Sequence, residues 1–302
     1  MNILATVKIM LSTFIKHHKL PETFKFTAKE HYQPLAEQIF SRFTQHDDAF
    51  FVGINGCQGS GKSTLTDYLA EYLTTTYQLT TVVMSLDDFY LTGAKRQQLA
   101  REVHPLLATR GVPGTHDIAA LKQTLKQLKT KQTDFTIPRF NKATDEPYPE
   151  SQWPIIKKPV DIILLEGWCW GVKPQTDQQL AAPVNELEFR HDVNGQWRNY
   201  VNQQLKNGYQ PLYKEMDFWL ALQAPSFDCV YKWRLEQEQK LQDKNVGLAN
   251  SKVMEPAGVL NFTQYFQRLS VQACNTISQS ADAIFYLDHA RNITKIPVGV
   301  DV

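Results

Sequence analysis

Eight consecutive residues have the types and spacing to hold a polyphosphate: Gly56-Cys57-Gln58-Gly59-Ser60-Gly61-Lys62-Ser63. They fit the pattern G-x-x-x-x-G-K-[ST]. Glycines let the backbone wrap closely around a phosphate with several N–H groups aimed inward. A helix that starts at the end of such a loop adds its positive dipole end. Lys62 is long enough to reach the β- and γ-phosphates, and the Ser63 hydroxyl can hold Mg²⁺. Gly56 through Ser63, with Thr64 in the first helical turn, are therefore the candidate ATP contacts. Cys57 lies inside the loop, where a helix end lowers a thiol pKa, although a loop filler is the simpler reading.

A second set of candidates sits where apolar runs end. Thr80 to Leu86 is β-branched and reads as a buried parallel strand, and it leads into Asp87-Asp88-Phe89-Tyr90. Ligands of open parallel sheets lie beyond the carboxyl ends of strands, so one carboxylate here can take a proton from a substrate hydroxyl. The plainer alternative is a turn or helix cap. Asp87 is the candidate base, and Asp88 and Tyr90 are candidate substrate contacts. Val160 to Leu165 is the clearest central strand, and it ends in Glu166-Gly167-Trp168. An acidic residue at that position suits Mg²⁺, and Gly167 is read as leaving room for a ligand. Arg110 and His116 flank a Pro-Gly turn and can bind an anion, with Asp117 or Thr115 capping the helix that follows. Arg139, just before an irregular, polar, proline-bearing stretch at residues 141–149, and Lys142 within it join the substrate candidates.

These residues need a scaffold. Phe50 to Ile54, Asp217 to Gln223 and Ala283 to Leu287 read as further strands, and Phe135 to Phe140 as a short one. Helices are expected from Ser63, around Trp197 to Leu205 (ended by Asn207-Gly208), over Phe227 to Leu241 and over Asn261 to Ile277. The charged helix at Phe227 carries Arg234, which a closing lid could bring over the phosphates. Residues 1–50 look helical, with Met10, Phe14, Leu35, Ile39 and Phe43 at helical spacing. The expected architecture is α/β, a doubly wound parallel sheet of the P-loop nucleoside triphosphate hydrolase fold. It forms a single domain over 1–302, with 1–50 as a helical addition to a core of 51–302. The chain's 302 residues allow this, and 42% hydrophobic with 21% charged residues is ordinary for a soluble globular protein. The net charge of +1 gives no strong pull toward nucleic acid or anionic membrane. Four dispersed cysteines without C-x-x-C fit a reducing, cytoplasmic compartment. No run of 18 apolar residues marks a membrane span.

In this order, the blocks resemble the phosphoribulokinase/uridine kinase group of P-loop kinases, and within it the plant-type D-glycerate 3-kinase family. The resemblance runs from about Phe51 to Leu287. Its most telling stretch is Arg110-Gly111-Val112-Pro113-Gly114-Thr115-His116-Asp117, supported by Ser85 to Tyr90, Leu165 to Trp168 and Trp233 to Glu238. The resemblance implies ATP- and Mg²⁺-dependent phosphorylation of a small hydroxy acid. Asp87 would act on the hydroxyl, Glu166 would be metal-linked and Arg234 would lie in the lid. One departure stands out: the family carries Asp-Lys where this chain has Asn141-Lys142. Two alternatives stay open, a kinase for another alcohol such as a nucleoside or pantothenate, and an ATP-binding switch without small-molecule transfer.

Overall fold

The computed structural model describes residues 3–244 and 255–294. Met1 and Asn2, the start of the expected first helix, lie outside the described residues. Helices α1 (Ile3–His18), α2 (Phe24–Thr27) and α3 (Gln33–Phe43) precede β1 (Phe50–Gly56). Next come α4 (Lys62–Tyr77), β2 (Thr81–Ser85), α5 (Gly93–Glu102) and α6 (Ile118–Lys129). Four two-residue strands follow: β3 (Phe135–Thr136), β4 (Phe140–Asn141), β5 (Glu146–Pro147) and β6 (Ile155–Ile156). After β7 (Ile162–Gly167) come α7 (Asp177–Leu180), α8 (Glu186–His191) and α9 (Gln196–Gln204). The last elements are β8 (Phe218–Gln223), α10 (Asp228–Lys244), α11 (Pro256–Thr276) and β9 (Ala283–Tyr286).

Five strands form the main sheet in the order β2-β7-β1-β8-β9, and every neighbouring pair is parallel. The two sheet faces follow from the period of two along each strand. Phe50, Val52 and Ile54 of β1 face one way, joined by Ile162, Leu164, Phe218, Leu220 and Phe285, and pack under α1, α3 and α4. Phe51, Ile163, Leu165, Ala221 and Ile284 face the other way, toward α6, α9 and α11. Helices therefore cover both faces, which makes the sheet doubly wound. The N-terminal helices are the expected added layer. Met10 and Phe14 are buried, and the Phe14 ring meets Tyr68 of α4 edge-on at 5.3 Å.

One device locks the register at the amino edge of the sheet. Asp161, Asp217 and Asp282 each stand just before a strand. Each accepts the backbone N–H of a residue at the edge of the adjoining strand and donates its own N–H to that residue's carbonyl. The partners are Thr80 (2.7 Å), Phe51 (2.8 Å) and Trp219 (2.7 Å). The sequence cue is an aspartate directly ahead of an apolar run.

Four expectations are corrected. Thr81–Ser85 is an edge strand and mostly half-buried rather than buried. The segment Phe135 to Phe140 is not one strand, because Pro138 lacks an N–H and separates β3 from β4. The polar stretch 141–149 is not irregular throughout, since it closes the β4–β5 hairpin with Asp145 at φ +63°. Asn207-Gly208 does not end α9: the chain stays helical through a wide turn, Leu205–Tyr209, and a tighter one, Gln210–Glu215. Wide turns of this kind often mark functional sites, and this one delivers Tyr209 to the core beside His116.

Asp217→Ala leaves the Phe51 N–H without its partner, and this should lower unfolding free energy by about 1–3 kcal/mol. Urea denaturation measures the loss.

Candidate active site

The carboxyl ends of β1, β2 and β7 meet at a cleft of about 820 Å³, open to solvent. Register decides what meets there. Glu166 on β7 pairs with Ile54 of β1 on one side and Ser85 of β2 on the other. The phosphate loop leaves β1 directly after this level. Gly59 and Gly61 both take positive φ (+79° and +94°). At Gly59 a Cβ would also stand 2.7 Å from the Trp233 Cβ, so α10 packs straight onto the loop. No side chain caps the N-terminus of α4, which leaves its dipole end facing the loop.

Lys62 folds back over this loop. Its Nζ donates to the Cys57 carbonyl at 3.2 Å and lies 3.9 Å from Glu166 Oε2. Ser63 Oγ donates to Glu166 Oε1 at 3.4 Å. Burial raises the Glu166 pKa, with Lys62 opposing. A hydroxyl and a carboxylate this close make a hard-oxygen pair of the kind Mg²⁺ takes, with phosphates and water completing its shell. Among the described residues no three His, Cys, Asp or Glu side chains form a metal cage. Cys57 is buried, and that burial pushes its thiol up to about 12, the opposite of an activated thiol.

Across the cleft, both Asp87 oxygens are occupied. Oδ1 accepts from the Tyr90 hydroxyl at 2.8 Å and Oδ2 from Lys142 Nζ at 2.6 Å. Burial works against the Asp87 charge. Lys142 and the two hydrogen bonds outweigh it and hold the carboxyl below its ordinary value. Lys142 is likewise opposed by burial and raised by Asp87. Arg110 lines the same end of the cleft and pairs with Asp145. Arg234 reaches in from α10 with its guanidinium 5.7 Å from the Phe262 ring centre.

Some sequence candidates go elsewhere. Asp88 closes the 3₁₀ turn after β2: its carboxylate accepts the N–H of Ser85 at 3.3 Å and of Phe140 at 3.4 Å, so it is the cap that the plainer alternative described. Arg139 lies 3.4 Å from Asp88 and donates to the carbonyls of Pro138 and Val83. Neither residue lines the cleft. His116 is buried behind Tyr90, the rings stacked at 4.4 Å, and its Nδ1 is 2.6 Å from Tyr209 Oη. Gly167 serves packing rather than a ligand, because a Cβ there would meet Leu86 at 2.9 Å and Trp170 at 3.1 Å. Gln58, Gly59, Lys62 and Ser63 face the cleft, whereas Gly56, Ser60, Gly61 and Thr64 shape the turn and first helical residues. Trp168, Phe262 and Phe266 wall the cleft. The sequence marks the two phenylalanines only as apolar helix positions. Asp145, Arg96 and Tyr209 carried no signal at all.

The chain was compared with known proteins. No family model matches it. An uncharacterized kinase of Schizosaccharomyces pombe is 34% identical over 215 residues, covering 68% of this chain and 76% of that protein. The chloroplastic D-glycerate 3-kinase of Arabidopsis thaliana is 32% identical over 226 residues, 70% of this chain. This chain spans about half of the plant protein, 47% of its length. A solved D-glycerate 3-kinase from Cryptococcus neoformans var. grubii aligns with a TM-score of 0.72 at 26% identity, covering 87% of this chain and 97% of that one. No described helix is long and apolar enough to cross a membrane.

His116 sets a pH dependence of stability. Burial lowers its pKa from 6.5 to about 4, so the native state holds the ring neutral. As pH falls from about 6.5 to about 4, the unfolded chain takes up a proton that the native chain refuses, and stability drops by about 3 kcal/mol. Below about 4 both states carry the proton and this loss stops. Urea unfolding at pH 7, 5.5 and 4.2 should show the slope in the native sequence and a slope smaller by up to one proton in His116→Gln.

Proposed function

We propose, from the premise that this chain belongs to the plant-type D-glycerate 3-kinase family of the phosphoribulokinase/uridine kinase group of P-loop kinases, that it transfers the γ-phosphoryl group of ATP to the 3-hydroxyl of D-glycerate. The observation that carries the reading is the place of Asp87, ionised and held from both sides, across one cleft from Lys62 and Ser63.

In this reading the loop N–H groups and Lys62 hold the triphosphate. Ser63 and Glu166 would hold Mg²⁺, which when bound supplies positive charge to the phosphate oxygens. Asp87 orients the acceptor hydroxyl and takes its proton as the oxygen bonds to phosphorus, while the leaving oxygen departs with ADP. Lys142 keeps Asp87 charged until the acceptor arrives. Arg234 faces the phosphates from α10 and meets charge on the transferring group. Of the substrate candidates Arg110, His116 and Arg139, Arg110 lines the cleft, and in this reading it takes the acceptor carboxylate, which an Arg fork suits.

Two aromatic rings near Asp87 are already engaged with side chains of the protein. Tyr90 is already stacked on His116, and Phe140 lies under the guanidinium groups of Arg96 and Arg110 at 5.9 and 5.6 Å. Trp168, Phe262 and Phe266 still line the cleft, so the acceptor assay decides between a small acid and a nucleoside. The four free cysteines fit a reducing, cytoplasmic setting. Residues 1–50 are read as a helical addition to one kinase unit.

Coupled ADP release with Mg²⁺ and ATP, run across D-glycerate, L-glycerate, pantothenate, uridine and ribulose 5-phosphate, tests this. D-Glycerate should drive release, and Asp87→Asn should cut it about 10²- to 10³-fold with ATP affinity kept. Release with another acceptor would sink the glycerate assignment. Unchanged ATP turnover in Asp87→Asn would favour a nucleotide switch.

A further inference from the structure

A guanidinium on a cleft wall binds a carboxylate well only if its fork is held in one orientation. Asp145 is built to hold Arg110. It ends the turn of the β4–β5 hairpin, where its N–H donates to the Asn141 carbonyl at 2.9 Å. Its φ of +63° lies in the left-handed region, which Asp and Asn tolerate better than other residues with side chains. Its Oδ1 accepts from Arg110, and its Oδ2 accepts from Arg96 Nη2 at 2.6 Å.

Arg96 anchors this arrangement. It is 1% exposed, and it also donates to the carbonyls of Leu91 at 3.0 Å and Asp145 at 3.2 Å. The next hairpin residue, Glu146, accepts the Gly93 N–H at 3.0 Å at the start of α5. The hairpin is thus docked on α5 by two successive carboxylates. One of them reaches past the buried arginine to the arginine in the cleft. Arg110 has five N–H donors, so a bond to Asp145 leaves donors for a ligand.

We propose that Asp145 is the positioning residue for acceptor recognition: braced by Arg96, it orients the Arg110 guanidinium toward the carboxylate of a small hydroxy acid. The proposal rests on the reading of the Arg110 end as the acceptor site. A carboxylate that merely stapled the hairpin would stabilise the fold without touching acceptor affinity in particular.

The test compares Asp145→Asn, Arg110→Ala and the double variant in the full chain, with thermal unfolding as a fold control. Asn suits the left-handed position and nearly matches Asp in shape, so the backbone is kept while the charge is lost. Asp145→Asn should raise acceptor KM about tenfold, with ATP KM within about twofold and kcat within about threefold. The double variant should match Arg110→Ala within about twofold, because both changes remove one interaction. An unchanged acceptor KM, an equal rise in ATP KM, or additive effects would overturn the proposal.

A second readout needs no acceptor. ¹⁵N NMR of the ligand-free protein should show a slowly exchanging Arg110 Nη1–H, the group that donates to Asp145 Oδ1, and this proton should exchange faster in Asp145→Asn. Equal exchange in the two proteins would overturn the proposal. If D-glycerate drives no turnover, the glycerate reading falls, and this measurement still decides whether Asp145 holds Arg110.

Discussion

The parallel register of β7 between β1 and β2 is the constraint from which the site follows. Glu166 stands level with Ile54, two residues before the phosphate loop begins, and with Ser85, two residues before Asp87. A slip of one residue would turn Glu166 to the opposite face of the sheet. Lys62 and Ser63 would then lose their partner, and a buried carboxylate would have no compensation. The aspartates at the far edge resist such a slip. Each grips its neighbour through both a side-chain and a backbone hydrogen bond. Chemistry at one end of the sheet is thus positioned by hydrogen bonds at the other, and the buried apolar strands between act as rigid spacers.

Within the cleft, charge is stored in pairs. Lys62 lies by Glu166, Lys142 by Asp87 and Arg110 by Asp145. Burial and the nearby Asp87 charge raise the Glu166 pKa, and both lysines oppose this. Lys142 holds Asp87 charged, and Lys62 and Lys142 counter the rise at Glu166, in a site that also has to receive anions. The pairs also fix the direction of each cation before a ligand arrives, so little reorganisation is left to the moment of reaction. The cations lie at the cleft wall rather than in the core, so an anion can share them without stripping the carboxylates of every partner.

What sequence could reveal depended on how far apart the interacting residues lie. The phosphate loop was legible because its eight residues are contiguous and the flanking strand and helix are long. The strands at 162–167 and 218–223 were legible as apolar runs. Asp87 and Asp88 are adjacent and identical in type, so pattern alone could not separate them. A 3₁₀ turn sends one into the cleft and the other back onto Ser85 and Phe140. Arg139 resembled an anion ligand until its partner proved to be Asp88. Asp145 was invisible because its two arginines lie 35 and 49 residues away in the chain, joined through strands too short for any period to show. Tyr209 sits in a wide helical turn after Asn207-Gly208, a dipeptide that ordinarily signals the end of a helix.

Asn141 illustrates how geometry changes the meaning of a departure from a family pattern. The family resemblance leads one to expect a carboxylate before Lys142. The Asn141 side chain does not line the cleft. Its Oδ1 accepts the Ala143 N–H at 3.0 Å and closes the turn that carries Lys142 toward Asp87. An aspartate would accept the same N–H, since Asx turns form with either residue. The amide therefore keeps the turn while removing one negative charge from a hairpin that already presents Asp145 and Glu146. Asp145 still bridges Arg96 and Arg110, Glu146 stays bonded to Gly93, and Lys142 pairs with Asp87. The change at 141 thus bears on the electrostatics of the hairpin, and Asp87, Tyr90, Arg110 and Lys142 still line the cleft.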